Sequence, residues 1–381
     1  MALSKKQSAE NTHLNKIIEL DGNYGEAGGA LVRVALALSA LTGQEFKVTK
    51  IRSGRKDSGL KAQHLTAIKT LKELCHAETN EVQMGSTELW FKPGKIKKGI
   101  YDVDIGTAGS ITLLLQALIL PSLFAPGKVT FNITGGTCGK WQASVDYLQN
   151  ILLPYLHRFV EKIEIKILRR GYYPKGLGSI RLEISPRFNL HKYESFSALR
   201  DELPFKIQKI LLLEQGKLEQ IRGIVNVSSE LQEKDVGDRI KNAALGGLKQ
   251  YNVPANIRVE YAKAESIGGE VLVWGIFSAG GKVDYDNPVI LAGDALIEPQ
   301  KSSEEIGKEA AGELKKQIDA GAAVEYHLAD QLIQFMGLLP GSQMKAGEVS
   351  KHAQTNMYVV EKFLPVGFKI EKNIVSVEEK E

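Results

Sequence analysis

The most constraining feature of this chain is a recurrence. Strand and helix signals return in one order, strand, helix, strand, helix and paired strands, over blocks of about 80 residues, which marks a repeated α/β unit. The first block opens with a short apolar strand at 17–20. An Ala/Leu/Val-rich stretch at 29–41 follows, apolar nearly all round, and predicts a buried helix. Phe46 and Val48 then face one way and Glu45, Lys47 and Thr49 the other, as in a half-buried strand. In the next helix Leu65, Ile68, Leu71, Leu74 and Cys75 form a stripe that excludes Lys69, Lys72 and Glu73. A strand-like run at 82–91 closes the block. The order repeats over 101–186, with alternation in Val129/Phe131/Ile133, Ile163/Ile165/Ile167 and Ile180/Leu182/Ile184.

A third, less regular block is predicted from a helix at 303–320, a second near 328–339, a short strand, a third helix and two final strands. Ser302 and Glu305 form a capping box ahead of the first of these helices, and Gly321 stands where its C-terminal cap belongs. Before this block, residues 187–284 break the rhythm, with strand-like runs at 205–213 and 221–227, one long helix and two more strands. The expectation is an α/β (α+β) chain. Its large domain of three repeated units takes 1–186 and 286–381, with 1–15 a loose tail, and a smaller inserted α/β domain takes 187–285.

A hydrophobic share of 43% fits a buried core. The longest apolar run, 111–124, falls short of the roughly 20 apolar residues of a membrane span, and the polar start has no signal-peptide pattern. A cytoplasmic protein with no membrane partner is expected. Cys75 and Cys138 are the only cysteines, too few for a disulfide framework or a zinc site. A net charge of +4 permits a nucleic-acid partner without requiring one.

Common nucleotide motifs are missing. There is no GxxxxGK[ST] loop, and the only Asp-Gly pair lies in ELDG, so the KxDG lysine of many nucleotidyl-transferring enzymes is absent. The glycine-rich DGNYGEAGG (21–29) precedes a helix and can turn backbone amides toward an anion, or serve only as a tight turn. Glu26, Arg33, Arg52, Arg55, Lys56, Gln63 and His64 fall at the ends of elements, where side chains converge on a cleft, although solvated arginines and a helix-end carboxylate would read the same way. LRRGYYPKGLG (168–178) mixes cations with Tyr172 and Tyr173 in a hairpin turn, which suits single-stranded nucleic acid or plain packing. Seven histidines show no HExxH-type ligand spacing, and His352 is distinguished only by its setting, KHAQTN, before a helix.

Taken together, DGNYGEAGG, IRSGRKDSGLKAQHLTA, DIGTAGSITLLLQ, RRGYYPKGLG, HLADQ and KHAQTNMYVVEKFLPV resemble, in order and spacing, the signature segments of the RNA 3′-terminal phosphate cyclase family, from about residue 17 to 368. The resemblance implies three βαβαββ units interrupted by an inserted domain. It implies an enzyme of ligase or nucleotidyl-transferase type that uses ATP with Mg²⁺ or Mn²⁺ on an RNA ending in a 3′-phosphate. Histidine–AMP and RNA-adenylate intermediates lead to a 2′,3′-cyclic phosphate, with pyrophosphate and AMP released. On the same ground His352 is the nucleophile. Gln116, His327, Leu328, Ala329, Asp330 and Gln331 bind the nucleotide, Arg33, Arg52, Arg55 and Gln63 hold phosphates, and Glu26 faces the metal. RNA sequence preference and oligomeric state stay open.

This chain departs from the family pattern in places. Glu26-Ala27-Gly28-Gly29-Ala30 replaces EGGGQ, Gln142-Ala143-Ser144 stands where Ala-Pro-Pro is common, His327 where bacterial members carry tyrosine, and Leu177 interrupts PKGGG. Two other readings share features of this sequence: a cyclase-like ribosome-assembly factor without catalysis, and an enolpyruvyl transferase of similar repeats. The first lacks the nucleophile that His352 supplies, and the second lacks these motifs.

Overall fold

The computed structural model describes residues 17–380; the expected tail at 1–15 lies outside them. The first unit is β1 (Ile18–Asp21), α1 (Ala30–Thr42), β2 (Phe46–Thr49), α2 (Ala62–Cys75), β3 (Glu78–Thr79) and β4 (Leu89–Lys92). Its sheet has the order β1-β2-β4-β3, with β1 and β2 parallel and β4 antiparallel to both neighbours. The run 82–91 pairs only from Leu89; before it the chain turns at Met84–Gly85, closed by the Ser86 N–H on Gln83 O at 3.0 Å. The second unit is β5 (Gly99–Asp104), α3 (Ile111–Ser122), β6 (Val129–Gly135), short helices α4 (Val145–Tyr147) and α5 (Leu153–Leu156) around a π-turn, β7 (Val160–Arg169) and β8 (Gly178–Pro186). Its order, β5-β6-β8-β7, repeats the first.

Next come α6 (Phe196–Lys206) and β9 (Leu211–Leu212), then β10 (Lys217–Ser228), α7 (Val236–Leu248), β11 (Ala255–Ala262), β12 (Gly269–Ser278), β13 (Val289–Leu296) and α8 (Ser303–Asp319). The chain ends with α9 (Tyr326–Met336), β14 (Gln343–Lys345), α10 (Lys351–Phe363), β15 (Val366–Glu371) and β16 (Ile374–Glu379). β9 pairs parallel with β14, and the sheet order β9-β14-β16-β15 is the same pattern a third time.

Sheet membership therefore moves the expected boundaries. The fourth sheet, β11-β10-β12-β13, runs past residue 285, because β13 pairs antiparallel with β12 from Glu270–Leu296 to Phe277–Val289. Helix α8, assigned from sequence to the third block, puts Ile306, Ala310, Ala311 and Leu314 into the same hydrophobic cluster as Val271, Val273 and Leu291 of this sheet. The interruption thus spans β10 to α8 and falls between the first strand and first helix of the third unit. The expected start at 187 takes in β9, which belongs to that unit. The strand expected at 205–213 shrinks to Leu211–Leu212, because α6 continues to Lys206. The capping box of Ser302 and Glu305 is present.

Burial explains the layering. Every residue of α1 from Ala30 to Leu41 is buried, Arg33 and Ser39 among them, and α1 packs against α3 and α10. Strands such as β8 alternate buried and more exposed residues, so its sheet turns one face to the core and the other outward. Truncating a core leucine such as Leu36 to alanine is expected to cost about 2–5 kcal/mol. Among the described residues, no helix is long and apolar enough to cross a membrane.

Candidate active site

The repeated topology decides where a site can form. In each unit the first two strands run parallel, and ligands of open α/β sheets gather beyond the carboxyl ends of such strands. Glu26 follows β1; Arg52, Arg55 and Gln63 follow β2; the loop after β5 leads to Gln116; Ala143 follows β6; His352 follows β14.

The first unit contributes cations. Arg33 is buried on α1, and its Nε donates to Gln116 Oε1 at 2.7 Å. Burial pushes its pKa down to about 10, the Arg52 charge adds to this, and Glu26 opposes it. Arg52 is lowered too, first by burial and then by Arg55, and its Nε is buried without a hydrogen-bond partner. His64 accepts the Lys61 backbone N–H on Nδ1 at 3.0 Å. Burial, then the charges of Arg33 and Arg52, hold it well below the usual imidazole range, so the ring is neutral and Nε2 carries the hydrogen. That Nε2 lies 3.4 Å from Arg33 Nη1. Two donors cannot satisfy each other, and an anionic oxygen between them would satisfy both. Gly29 is required at this point, because a Cβ there would collide with His64 Nε2 and Arg33 Nη1.

His352 lies in the first turn of α10, 43% exposed, with its Nδ1 2.7 Å from Glu26 Oε1. The contact is off the alignment of a hydrogen bond, and Oε1 has no other partner. The second carboxylate oxygen accepts Arg55 Nη2 at 3.0 Å. Tyr24 stacks on Tyr358, centroids 3.9 Å apart, and fastens the glycine-rich loop to α10. Among the described residues no three His, Cys, Asp or Glu side chains assemble a metal-ligand set. A lone carboxylate with a buried, partnerless oxygen nevertheless suits a divalent cation held mainly by a ligand's own oxygens.

The third unit contributes acids. Glu325 caps α9, accepting the His327 N–H at 2.7 Å and the Leu328 N–H at 2.6 Å, and the Tyr147 hydroxyl donates to it. Burial pushes its pKa up to about 7. Asp330 is raised to about 6, again chiefly by burial, and accepts the hydroxyl of Ser350, the cap of the helix carrying His352. His327 is exposed and Gln331 donates to its carbonyl at 3.2 Å, whereas Leu328 and Ala329 are buried in the core and can meet a ligand only through their backbone.

Glu26 contacts Arg55 and His352, Arg33 contacts Gln116, and the charges of Glu26 and Arg52 act on Arg33. Gln63 reaches the loop at Gly109, where a Cβ would be 3.8 Å from its Oε1. His327 and Ala143 are not brought into one cavity: His327 faces a cleft of about 570 Å³ with Asp294 and Glu313, while Ala143, Gln116 and Gln331 line a cavity of about 20 Å³. His64, named from sequence only as a cleft residue, gains Arg33 as its neighbour here, while Glu325 was missed: an acid just ahead of a helix is the one signal that marked it.

These features belong to a mixed α/β protein with an anion-attracting cleft at the strand ends of its repeats. Residues 24–370 match the RNA 3′-terminal phosphate cyclase family, and the chain belongs to it. It is 39% identical over 361 residues to a protein of Methanosarcina mazei named RNA 3′-terminal phosphate cyclase, covering 93% of this chain and 97% of that one. Proteins of the same name from Methanopyrus kandleri and Pyrococcus furiosus are 36% and 38% identical, covering 93% and 94% of this chain and 95% and 96% of theirs.

Proposed function

We propose that this protein uses ATP to convert an RNA 3′-terminal phosphate to a 2′,3′-cyclic phosphate, through AMP carried on His352 and then on the RNA. The observation that carries the reading is the contact of Glu26 with His352 beside Arg33, Arg52 and Arg55, in a chain of this family. Glu26 lies on the Nδ1 side of the ring and leaves Nε2 to attack. A bond forms from Nε2 to the α-phosphorus of ATP and the bond to the β-phosphate oxygen breaks; the departing pyrophosphate meets the guanidinium groups. An oxygen of the RNA 3′-phosphate then attacks the same phosphorus, and the N–P bond returns its electron pair to His352. Finally the 2′-hydroxyl attacks the activated 3′-phosphorus and expels AMP, its proton passing to solvent. Both groups sit on one ribose, so proximity alone supplies several kcal/mol. Mg²⁺ or Mn²⁺, when bound, would neutralise triphosphate charge, with Glu26 as the residue to hold it. Gln116, His327, Asp330 and Gln331, with the backbone of Leu328 and Ala329, are assigned to the nucleotide, and Gln63 joins the arginines on phosphate.

Incubation with labelled ATP and Mg²⁺ should leave one AMP per chain on His352. His352→Ala should reduce labelling on the order of 10³-fold or more. Wild-type labelling of that variant would overturn the assignment. An RNA whose terminal ribose lacks the 2′-hydroxyl should accept AMP and stop there.

A further inference from the structure

Two aromatic side chains that this chemistry leaves unused are among the most exposed in the molecule. Trp141 is 95% exposed and Tyr173 79%. Both stand on firmly anchored loops. The loop carrying Trp141 is held by the Gly136 N–H to Gly109 O at 2.8 Å, the Thr137 N–H to Gly171 O at 2.9 Å and the Val145 N–H to Thr137 O at 2.8 Å. Trp141 itself has φ +62°, a conformation unfavourable for a residue with a side chain, so the anchored backbone displays the indole outward.

Tyr173 lies in the β7–β8 hairpin, where the paired tyrosines divide their work. Tyr172 is buried, its hydroxyl donating to Asn226 Oδ1 at 3.0 Å. The Lys175 N–H donates to Ser266 Oγ at 3.2 Å. Gly176, at φ +70°, sits so tightly on the loop after β5 that a Cβ would be 2.6 Å from Ala108 Cα. Tyr173 is left on display, with the exposed Arg169 and Lys175 nearby in the chain. Both loops therefore bind to the segment 105–110 that leads to Gln116 and meets Gln63, and Ala143, two residues past Trp141, shares a cavity with Gln116. The aromatics stand at the rim of the candidate site.

We infer that Trp141 and Tyr173 are stacking platforms for the unpaired bases just upstream of the RNA 3′ end, with Arg169 and Lys175 meeting the backbone phosphates. The inference rests on the cyclase reading for the identity of the RNA. Isolated rings interleaved with cations fit a strand that offers alternating π-faces and negative charge, and every base has such a face, so the contacts tolerate any sequence. An apolar protein partner would instead call for a contiguous apolar patch.

Trp141→Ala, Tyr173→Ala and the double variant test it in the full chain. Binding of a labelled single-stranded RNA of about ten nucleotides with a 3′-phosphate, read by fluorescence anisotropy without ATP, should weaken on the order of tenfold per ring. The KM for that RNA should rise with little change in kcat, Trp141→Phe and Tyr173→Phe should retain most of the affinity, and AMP transfer to His352 should be unchanged. Wild-type RNA affinity in the double variant would overturn the proposal, as would an equal loss for a nucleoside 3′-phosphate, which has no upstream base. Loss of AMP transfer in Trp141→Ala would move that ring to the ATP side and overturn its part. Because binding is read without chemistry, it decides the inference even if the wild type takes no AMP.

Discussion

The walls contributed by the first and third units are opposite in charge, yet burial affects both in the same way. On the first, Arg33 and Arg52 lose part of their hold on their protons, and His64 is kept neutral. On the third, Glu325 and Asp330 hold their protons more tightly than exposed carboxyls do. On each wall desolvation works against the charged form, so each is electrostatically unfinished until a ligand of opposite charge binds. A polyphosphate completes one, and cations or protons complete the other. The Glu26–His352 contact spans the seam, which places the proposed nucleophile where the two fields meet.

The comparison breaks most easily at Arg33. If the first wall serves anions, Arg33→Ala should slow AMP transfer to His352 on the order of 10²-fold, the usual effect of removing one preorganised donor. Arg33→Lys should recover little, because the fork that reaches both Gln116 and the neighbourhood of His64 is lost. Inorganic triphosphate should raise the melting temperature of the wild type and have much less effect on either variant. A wild-type rate in Arg33→Ala would show that this wall holds structure together and nothing more.

The third wall should show itself in pH dependence. Glu325 has its folded pKa raised from 4.5 to about 7, so the folded state binds that proton more tightly than the unfolded state. Its contribution is full below about 4.5 and is lost as pH rises through about 7, a change on the order of 3 kcal/mol. Glu325→Gln keeps an acceptor for the cap but removes the charge. Its melting temperature should therefore fall by a few degrees less than that of the wild type between pH 5 and 8. Parallel curves would mean that Glu325 is charged at little cost.

How much of this was legible varied with the length of the signal. The buried helix at Ala30–Thr42 and the alternating strands of the second unit were readable, because apolar periodicity over ten or more residues survives any tertiary context. β9 was not: two residues carry no period, and its partner β14 lies about 130 positions on. The helix α8 was found, but its allegiance was not, since an amphipathic stripe says that a face is buried and not against which sheet. Among motif-borne residues, Glu26 contacts His352 and Arg33 contacts Gln116, pairs that spacing in the sequence does not announce. The protonation states of His64, Glu325 and Asp330 could not be read, because they arise from burial and from neighbours far apart in sequence.

The smallest effect is expected on the third wall, at His327. Its imidazole is exposed, edge-on to Tyr326 with centroids 5.1 Å apart, and its charge opposes the upward shifts of Glu325, Asp294 and Asp330. A tyrosine in its place would offer a base a larger ring, and aromatic pairing contributes about 0.5–1.5 kcal/mol. The apparent KM for ATP in self-adenylylation should then fall several-fold, with ATP more strongly favoured over GTP. The same change removes a group that opposes those upward shifts, so those carboxyls should titrate at higher pH and the alkaline limb of the rate profile should move with them. These two effects are separable. A lower KM with an unmoved profile would make His327 a stacking surface alone, whereas a raised KM with a shifted profile would show that its charge, and not its ring, is what the third wall needs.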